Sequence, residues 1–454
     1  MGLCASSPSE GGRRDGAVGL LPPGLRPEDF AIDDRTGELH VRRPGLLWPR
    51  REVRGQAFRV RNCTNCTVLI LDHSEQTILE RLRGCRVLVG ACESSVFLRE
   101  CEDCDVVLYT KQLRTRDCKR VRIGLYSQTR PVIETSTHLS IGAARLHWFS
   151  HGAAMTAARL VPLSSRWSEV HDFTSGAQRA GAPHWSRMPL EEERTGLLGL
   201  ALPATGPGAS SGAAAPSQPP AVPSSLLEDE EIRVAWDGPG SPPGWAVAAS
   251  DASVPPTAGM TGPRGHDRLL LLSGTAEDHD ALPRRLFAAM APPPATASAA
   301  AASAATGGSE GAAPSAASPL PSEPAAAGAA AAQLAGAFVV LRSRVLVVPA
   351  AAARSLAPAG ACMAAFIKAA GAWPAVVTAL HLRSAEGAGS AAELVRAAGC
   401  AVIAPSARAD AAAEAAEAAG ASSRGAAWCS PAGDAGGRAA QSVFLDWDAI
   451  ENKR

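Results

Sequence analysis

The sequence predicts two folded domains, a right-handed parallel β-helix over residues 27–195 and a small α/β domain over residues 266–454. Two observations predict the first domain. Segments of similar pattern recur every 17–19 residues between residues 58 and 145, and apolar residues occupy every second position inside each segment. Such alternation within a short repeat is typical of coils that stack on one another. The second domain is indicated by strand-like apolar runs that alternate with helix-like runs.

Two positions of the repeat carry mostly small or apolar residues. In the later position the spacings are 19, 19, 17 and 18 residues. Because equivalent residues of stacked coils lie about 4.8 Å apart along the axis, these side chains are expected to pile up in the core. The later position is held by Cys66, Cys85, Cys104, Val121 and Leu139, and the position three residues earlier by Cys63, Leu82, Cys101, Cys118 and Ser136.

The same alignment decides how two Cys-x-x-Cys pairs are interpreted. Cys63 with Cys66 and Cys101 with Cys104 match a spacing that is also found in zinc sites. Single cysteines, leucine and valine occupy the same positions in the other segments, and a metal site does not accept leucine as a ligand. A buried thiol, by contrast, behaves as a small apolar side chain. We therefore predict core cysteines and no metal site.

The strand before each turn alternates as well, so every second residue is expected to point outward. Two outward rows result, which we call the first row and the second row. Alternating charges on such rows often serve solubility and cross-strand pairing. An arginine held beside a carboxylate on a stiff strand also suits insertion into a partner's phosphate site, and the periodicity leaves both interpretations open. The first row is Arg59, Ile78, Phe97, Arg114 and Val132, and the second row is Arg61, Glu80, Arg99, Arg116 and Glu134.

Composition divides the rest of the chain. We predict a flexible N-terminus over residues 1–26, a Pro-, Gly-, Ser- and Ala-rich linker over 196–265, and an Ala-rich insertion at about 291–335. With 44 basic and 44 acidic residues, the chain lacks the excess positive charge of a general nucleic-acid binder. No transmembrane helix or signal peptide is recognisable, so a cytosolic-side protein with reduced thiols is expected.

The chain begins with the residues MGLCAS, which resemble a lipidation signal. Gly2 followed by Ser6 fits the N-myristoylation pattern, and Cys4 is well placed for a palmitoyl chain. One myristoyl chain binds membranes only marginally, at about 10⁴ M⁻¹, so stable anchoring needs a second signal. We expect acylation at both Gly2 and Cys4.

Five segments, in order, resemble the cofactor C domain family, which includes tubulin-folding cofactor C. The resemblance spans about residues 27–190, and for the C-terminal half it implies a module similar to nucleoside diphosphate kinase. Phosphotransfer in that fold needs a histidine in an Asn-x-x-His-Gly-Ser context, which His266, His279 and His381 all lack, so we expect an inactive module. The five segments are QAFRVRNCTNCTVLILDHS (56–74), SSVFLRECEDC (94–104), KQLRTRDCKR (111–120), TRPVIETS (129–136) and WSEVHDFT (167–174).

The resemblance implies a GTPase-activating protein for an Arf-like small GTPase of the ADP-ribosylation-factor-like protein 3 type. In the family, a Gln-x-Arg pair supplies a helper glutamine and an arginine finger, and the matching positions here are Gln112 and Arg114. Glu134 matches the acidic partner near the finger. The GTPase itself carries GTP and Mg²⁺, so no cofactor is expected. Further partner-binding residues are expected at Phe97, Arg99 and Arg116.

The resemblance further implies a site of action at the cytoplasmic face of the plasma membrane and at the ciliary base, where control of the GTPase releases lipidated cargo from carriers. Tubulin and ciliary transport factors are additional candidate partners. Two alternatives stay open. One is an effector or scaffold that binds the same GTPase without accelerating it. The other is a tubulin-folding cofactor, for which a helical N-terminal domain longer than residues 1–26 is expected.

Overall fold

The structure of the protein is a computed structural model. Nearly all of the predicted N-terminal segment, with Gly2 and Cys4, and the whole predicted insertion at about 291–335 lie outside the residues it describes. The described residues are 26–44, 53–174, 183–193, 197, 218–236, 246–248, 252–259, 265–274, 281–290, 338–348, 375–384, 391–397, 401–403 and 426–429.

A parallel β-helix forms the N-terminal domain, as predicted. A 3₁₀ turn, Pro27–Phe30, leads into it, and twelve strands then join in one sheet in which every described pairing is parallel. The strands of this region are β1 (Ala31–Asp33), β2 (Leu39–Arg42), β3 (Phe58–Arg61), β4 (Thr67–Ser74), β5 (Thr77–Glu80), β6 (Arg86–Arg99), β7 (Asp105–Arg116), β8 (Arg122–Ser127), β9 (Val132–Glu134), β10 (Leu139–Ala143), β11 (Leu146–His147), which lies outside this sheet, β12 (His171–Asp172) and β13 (Trp185–Arg187).

The repeat positions stack in register. Bridges run from Thr64 to Arg83, to Glu102 and to Lys119, and these residues lie between the two predicted core positions of each coil. All six cysteines at the two predicted core positions are buried in one apolar core together with the inward side chains of the strands. The prediction that these cysteines are core residues is therefore confirmed.

Each corner between the two core positions uses left-handed backbone. In one coil φ is 53° at Glu100 and 55° at Asp103, and this geometry turns the chain while Cys101 and Cys104 stay inward. Left-handed backbone costs most L-residues about 1–2 kcal/mol, whereas Gly, Asn and Asp adopt it readily. The earlier corner position is held by Asp34, Asn62, Arg81, Glu100, Asp117 and Thr135, and the later one by Gly37, Asn65, Gly84, Asp103, Arg120 and His138.

A second apolar core covers one outer flank of the β-helix. Outward side chains of the strands, among them Leu71, Tyr109 and Tyr126, pack there against α1 (His151–Ala157) and against chain that follows α2 (Leu190–Glu193). Part of that covering chain belongs to the predicted linker, where α3 (Ser224–Asp229) precedes β14 (Arg233–Trp236) and β15 (Ala246–Ala248).

Over the described part of residues 196–265, the chain also packs against the β-helix. Leu227, Ile232 and Val234 are buried in the second core, and β14 pairs with β11. Only a few apolar residues of this segment contact the flank. The segment therefore contributes packing as well as a connection.

The C-terminal domain contains a five-stranded sheet. Its strands are β16 (His266–Gly274), β17 (Phe338–Val348), β18 (Ala375–Ser384), β19 (Ala401–Ile403) and β20 (Ala426–Cys429), in the spatial order β17-β18-β16-β20-β19. Helices α4 (Ala281–Met290) and α5 (Ala391–Ala397) pack against this sheet through Leu286, Phe287 and Leu394. Within the described residues, no helix has the length and apolar character needed to cross a bilayer.

A buried polar group lies in this sheet. His381 is 2% exposed, its Nδ1 accepts a hydrogen bond from Nε of Arg342 at 3.2 Å, and its Nε2 lies 3.2 Å from Asp267 Oδ2. Burial, followed by the charge of Arg342, lowers the pKa of His381 from 6.5 to about 4. His381 is therefore neutral in the folded protein at neutral pH.

We predict that replacing Glu100 by Asn stabilises the β-helix. Glu100 is exposed and left-handed, so Asn should recover about 1 kcal/mol of backbone strain. Denaturant unfolding of the full chain would measure the change. Glu75→Asn is the matched control, since Glu75 is exposed without positive φ and its substitution should alter stability by less than about 0.5 kcal/mol. Equal effects of the two substitutions would contradict the strain argument.

We also predict that stability falls as the pH drops from about 6.5 to about 4. The unfolded chain protonates His381 over this window while the folded chain does not, so folding loses up to about 3 kcal/mol from this residue. Unfolding of wild type and His381→Gln, followed between pH 7 and 4.5, tests the claim. The variant should show a shallower loss, although His151, also buried with a lowered pKa, keeps part of it. An unchanged slope would refute a role for His381.

Candidate functional site

The two outward rows form one face of the β-helix, as the alternation predicted. Phe97 pairs with Arg114, which pairs with Val132, while Arg99 pairs with Arg116, which pairs with Glu134. Parallel in-register pairing fixes the order of these side chains across neighbouring coils. The structure extends both rows at the N-terminal end, where Ala31 pairs with Arg59 and Asp33 pairs with Arg61.

Arg114 lies near the middle of this face on a rigid support. Its neighbours Leu113 and Thr115 are buried in the β-helix, so the exposed Arg114 side chain starts from a fixed strand. Its Nε donates to Oε1 of Gln112 at 3.1 Å, and Oγ of Ser95 donates to the same oxygen at 3.4 Å. Gln112 therefore orients the base of the guanidinium. Ser95, on the neighbouring strand, was not singled out from the sequence because serine carries no signal there.

Ion pairing distinguishes the arginines of the two rows. Arg59 and Arg61 both approach Asp33, at 2.7 and 3.5 Å, and Arg116 approaches Asp117 at 3.1 Å. Among the described residues, no carboxylate lies within 4 Å of the guanidinium of Arg99 or Arg114. Arg99 instead lies over the ring of Phe97, 4.9 Å from its centroid. The middle of the face thus presents two positive charges that no carboxylate of the described residues approaches within 4 Å.

The corner beside this face is different, because its charges are neutralised in a network. Arg120 bonds Glu102 and Asp103, and Arg122 bonds Asp105 at 2.6 and 2.7 Å. Hydrogen bonds from Arg120 hold the pKa of Glu102 and of Asp103 below their usual values. The corner is therefore a closed salt-bridge ladder and a poor anion site.

Glu134, which the resemblance marks as the acidic partner of the finger, lies one row away from Arg114. Glu134, on β9, pairs directly with Arg116 of β7, whereas Arg114 of β7 pairs with Val132 of β9. No Arg114–Glu134 ion pair within 4 Å forms between these described residues, so an amide rather than a carboxylate orients Arg114. The register explains the offset, since residues 114 and 134 belong to different rows.

The face continues onto a short strand that sequence reasoning missed. His171 pairs with Val132, and the amide of Phe173 donates to the carbonyl of Ile133 at 2.8 Å, which brings Phe173 alongside Glu134. Phe173 is 61% exposed, and its ring contacts that of His171 edge-on at 4.2 Å. The strand has only two residues, so no alternation marked it. Its exposed aromatic side chain is the signal that was available.

The cysteines at the repeat positions are all buried, and for several of them burial raises the pKa of the thiol. Burial raises the pKa of Cys63 to about 11, and hydrogen bonding to Cys118 together with burial raises the pKa of Cys101 well above its usual value. Over the part of the chain that the structure describes, no group of three or more His, Cys, Asp or Glu residues is arranged to hold a metal ion. The candidate lipidation residues, Gly2 and Cys4, are outside that part.

Comparison with known proteins agrees with this geometry. The sequence profile of the family described as "Tubulin binding cofactor C" matches residues 55–173, which contain both rows and the short strand with Phe173. This region resembles a cofactor C domain. The matched region therefore covers most of the β-helix and every residue of the two rows that the sequence predicts.

Relatives of two kinds share this domain. "Protein XRP2" of Danio rerio is 34% identical over 36% of this chain and 41% of its own length, and "Protein XRP2" of Xenopus laevis is 37% identical over 30% and 38%. "Tubulin-specific chaperone C" of Mus musculus is 31% identical over 28% and 38%. The chain thus spans about two fifths of the length of these relatives, and the similarity is that of a cofactor C domain protein related to XRP2 and to tubulin cofactor C.

Proposed function

We propose that this protein is a GTPase-activating protein for an Arf-like small GTPase, with Arg114 as an arginine finger supplied in trans. The observation that carries the proposal is the state of Arg114. It is exposed on a rigid strand, oriented by Gln112 and without a carboxylate partner among the described residues, on a chain whose neighbouring arginines are mostly ion-paired. Similarity to the XRP2 proteins supports the choice of family branch.

The chemistry follows from phosphoryl transfer. Negative charge develops on the γ-phosphate and on the β–γ bridging oxygen as the bond to the leaving group lengthens, and a guanidinium placed there stabilises that charge. The Nη groups of Arg114 are the donors that would approach it, while the bond from Nε to Gln112 limits reorientation. The GTPase holds GTP and Mg²⁺, so the proposal requires no cofactor on this chain.

The surrounding residues supply docking contacts in the proposal. Phe97 and Arg99 offer an aromatic ring with a stacked cation, Phe173 offers an exposed ring, and Arg116 and Glu134 offer opposite charges on the second row. Aromatic and arginine side chains are the usual anchors of protein interfaces. Glu134 makes no ion pair within 4 Å in the described residues and is available to a basic group of the partner.

Tubulin is the second candidate partner. The relatives called tubulin-specific chaperone C share the domain with this chain at identities near 30%. A tubulin-folding role would use the same β-helix, so pull-down of tubulin by the wild-type chain, with and without the GTPase, separates the two candidates. We further propose that the activity serves the release and ciliary traffic of lipidated cargo.

The main prediction concerns Arg114→Ala. Single-turnover GTP hydrolysis by an Arf-like GTPase should accelerate by roughly 10³-fold or more with the wild-type chain, and the variant should lose this acceleration while it still binds. Arg59→Ala is the matched control, since Arg59 occupies the same row but is paired with Asp33; it should retain the activity. Binding without acceleration by the wild type would make the protein an effector or scaffold.

A second prediction concerns membrane attachment. We propose that Gly2 carries myristate and Cys4 palmitate, since one chain alone binds membranes weakly. In cells, a clickable myristate should label wild type and Cys4→Ser but not Gly2→Ala, and hydroxylamine should release a palmitate label from wild type only. Fractionation should place Cys4→Ser largely in the soluble fraction. Stable membrane association of Gly2→Ala would contradict the scheme.

For the C-terminal domain we propose a structural or docking role related to the nucleoside diphosphate kinase fold, without phosphotransfer. His381 is buried against Asp267 and Arg342, which leaves its imidazole inaccessible to a phosphate donor. His266 is exposed but lacks the sequence context of the catalytic histidine.

A further inference from the structure

The C-terminal sheet touches the β-helix close to the candidate face. The amide of Val345, on β17, donates to Oγ of Ser164 at 3.0 Å. Leu163 belongs to the same apolar cluster as the C-terminal sheet. The loop over residues 161–170, which leads directly into β12, is therefore held by the C-terminal domain.

Glu169 in this loop bridges the two domains electrostatically. Its carboxylate accepts hydrogen bonds from Arg166 at 2.6 and 3.0 Å, and its other oxygen lies 3.6 Å from Nη1 of Arg342 on β17. The side chains are 14%, 8% and 12% exposed for Glu169, Arg166 and Arg342. At this depth the pairing is weakly screened by solvent, so each partner constrains the other.

Glu169 also stands at the start of the strand that extends the face. Its carbonyl accepts a hydrogen bond from Nε of Arg130 at 3.3 Å, next to the strand β9 with which β12 pairs. Two backbone bonds follow, from the amide of His171 to Pro131 at 2.7 Å and from the amide of Phe173 to Ile133 at 2.8 Å. Glu169 thus lies two residues before His171, at the start of the backbone bonds that hold His171 and Phe173 against β9.

We propose that Glu169 is a positioning residue through which the C-terminal domain, by way of Arg342, fixes the edge of the docking face that carries His171 and Phe173. The inference rests on the proposed GTPase-activating function. Strand β12 has two residues and, in the described part of the chain, pairs with β9 alone. Such an edge frays easily unless its ends are anchored. Arg114 lies on the central strand β7, which pairs on both sides and does not depend on this anchor.

Because the anchor affects the edge of the docking face and not Arg114, its loss is predicted to change KM and not kcat. In Arg342→Met and Glu169→Gln, KM for the GTP-loaded GTPase should rise roughly 2- to 30-fold while kcat stays near the wild-type value, because a contact network of this kind modulates coupling by that amount. The finger itself remains in place. Arg342→Lys, which retains the charge, should recover much of the affinity. Arg396→Met is the control, since Arg396 is exposed on α5 of the same domain.

Hydrogen exchange of the full chain supplies a readout that needs no GTPase. In Arg342→Met and Glu169→Gln, amides of residues 171–173 should exchange faster than in wild type and in Arg396→Met, while those of β7 stay protected. This outcome with raised KM supports the proposal. The proposal is overturned if neither amide exchange nor KM changes, or if kcat falls by as large a factor as KM rises. If the wild-type chain does not accelerate GTP hydrolysis, the proposed function is wrong. The exchange data then still show whether Arg342 and Glu169 anchor residues 171–173.

Discussion

Parallel, in-register pairing of successive coils is the constraint on which the rest of this molecule depends. Each coil buries its inward side chains only against its neighbours, so the positions of Cys66, Cys85 and Cys104 are fixed relative to one another by backbone hydrogen bonds. The same bonds fix the outward residues. One set of backbone hydrogen bonds thus aligns both the core and the outer surface. Arg114 has a fixed position because its neighbours Leu113 and Thr115 are buried in the core.

Electrostatics then selects one part of that surface. Most guanidiniums around the β-helix are satisfied locally, as with Arg120 between Glu102 and Asp103. The residues at the middle of the face depart from this rule, since Arg99 stacks on Phe97 and Arg114 bonds an amide. An arginine that has no carboxylate partner among the described residues breaks no ion pair there when it meets an anionic partner. This contrast sets the candidate face apart from the rest of the charged surface.

The sequence was most informative where the fold repeats. Period-two alternation and the cysteine spacing located the core, the rows and the Phe97–Arg114 neighbourhood, because each is a local consequence of strand geometry. It was least informative where contacts join distant segments. Neither the packing of Leu227 and Val234 on the flank nor the approach of Arg342 to Glu169 leaves a periodic trace. Arg114 and Glu134 lie in different rows, so recognising both residues of a motif in the sequence does not establish that they pair with each other.

The stacking also spaces the side chains of the face at regular intervals along the axis of the β-helix. Each coil contributes one side chain to the first row, so neighbouring members of this row are about 4.8 Å apart along the axis. The members that matter here are Phe97, Arg114, Val132 and His171. A partner that contacts both the arginine and the aromatic edge must match that length. Insertion or loss of a single coil between them would keep every residue type and every core contact of the same kind, yet change the span that a partner has to bridge. Selectivity among related partners can therefore be set by the number of coils, independently of the side chains they carry.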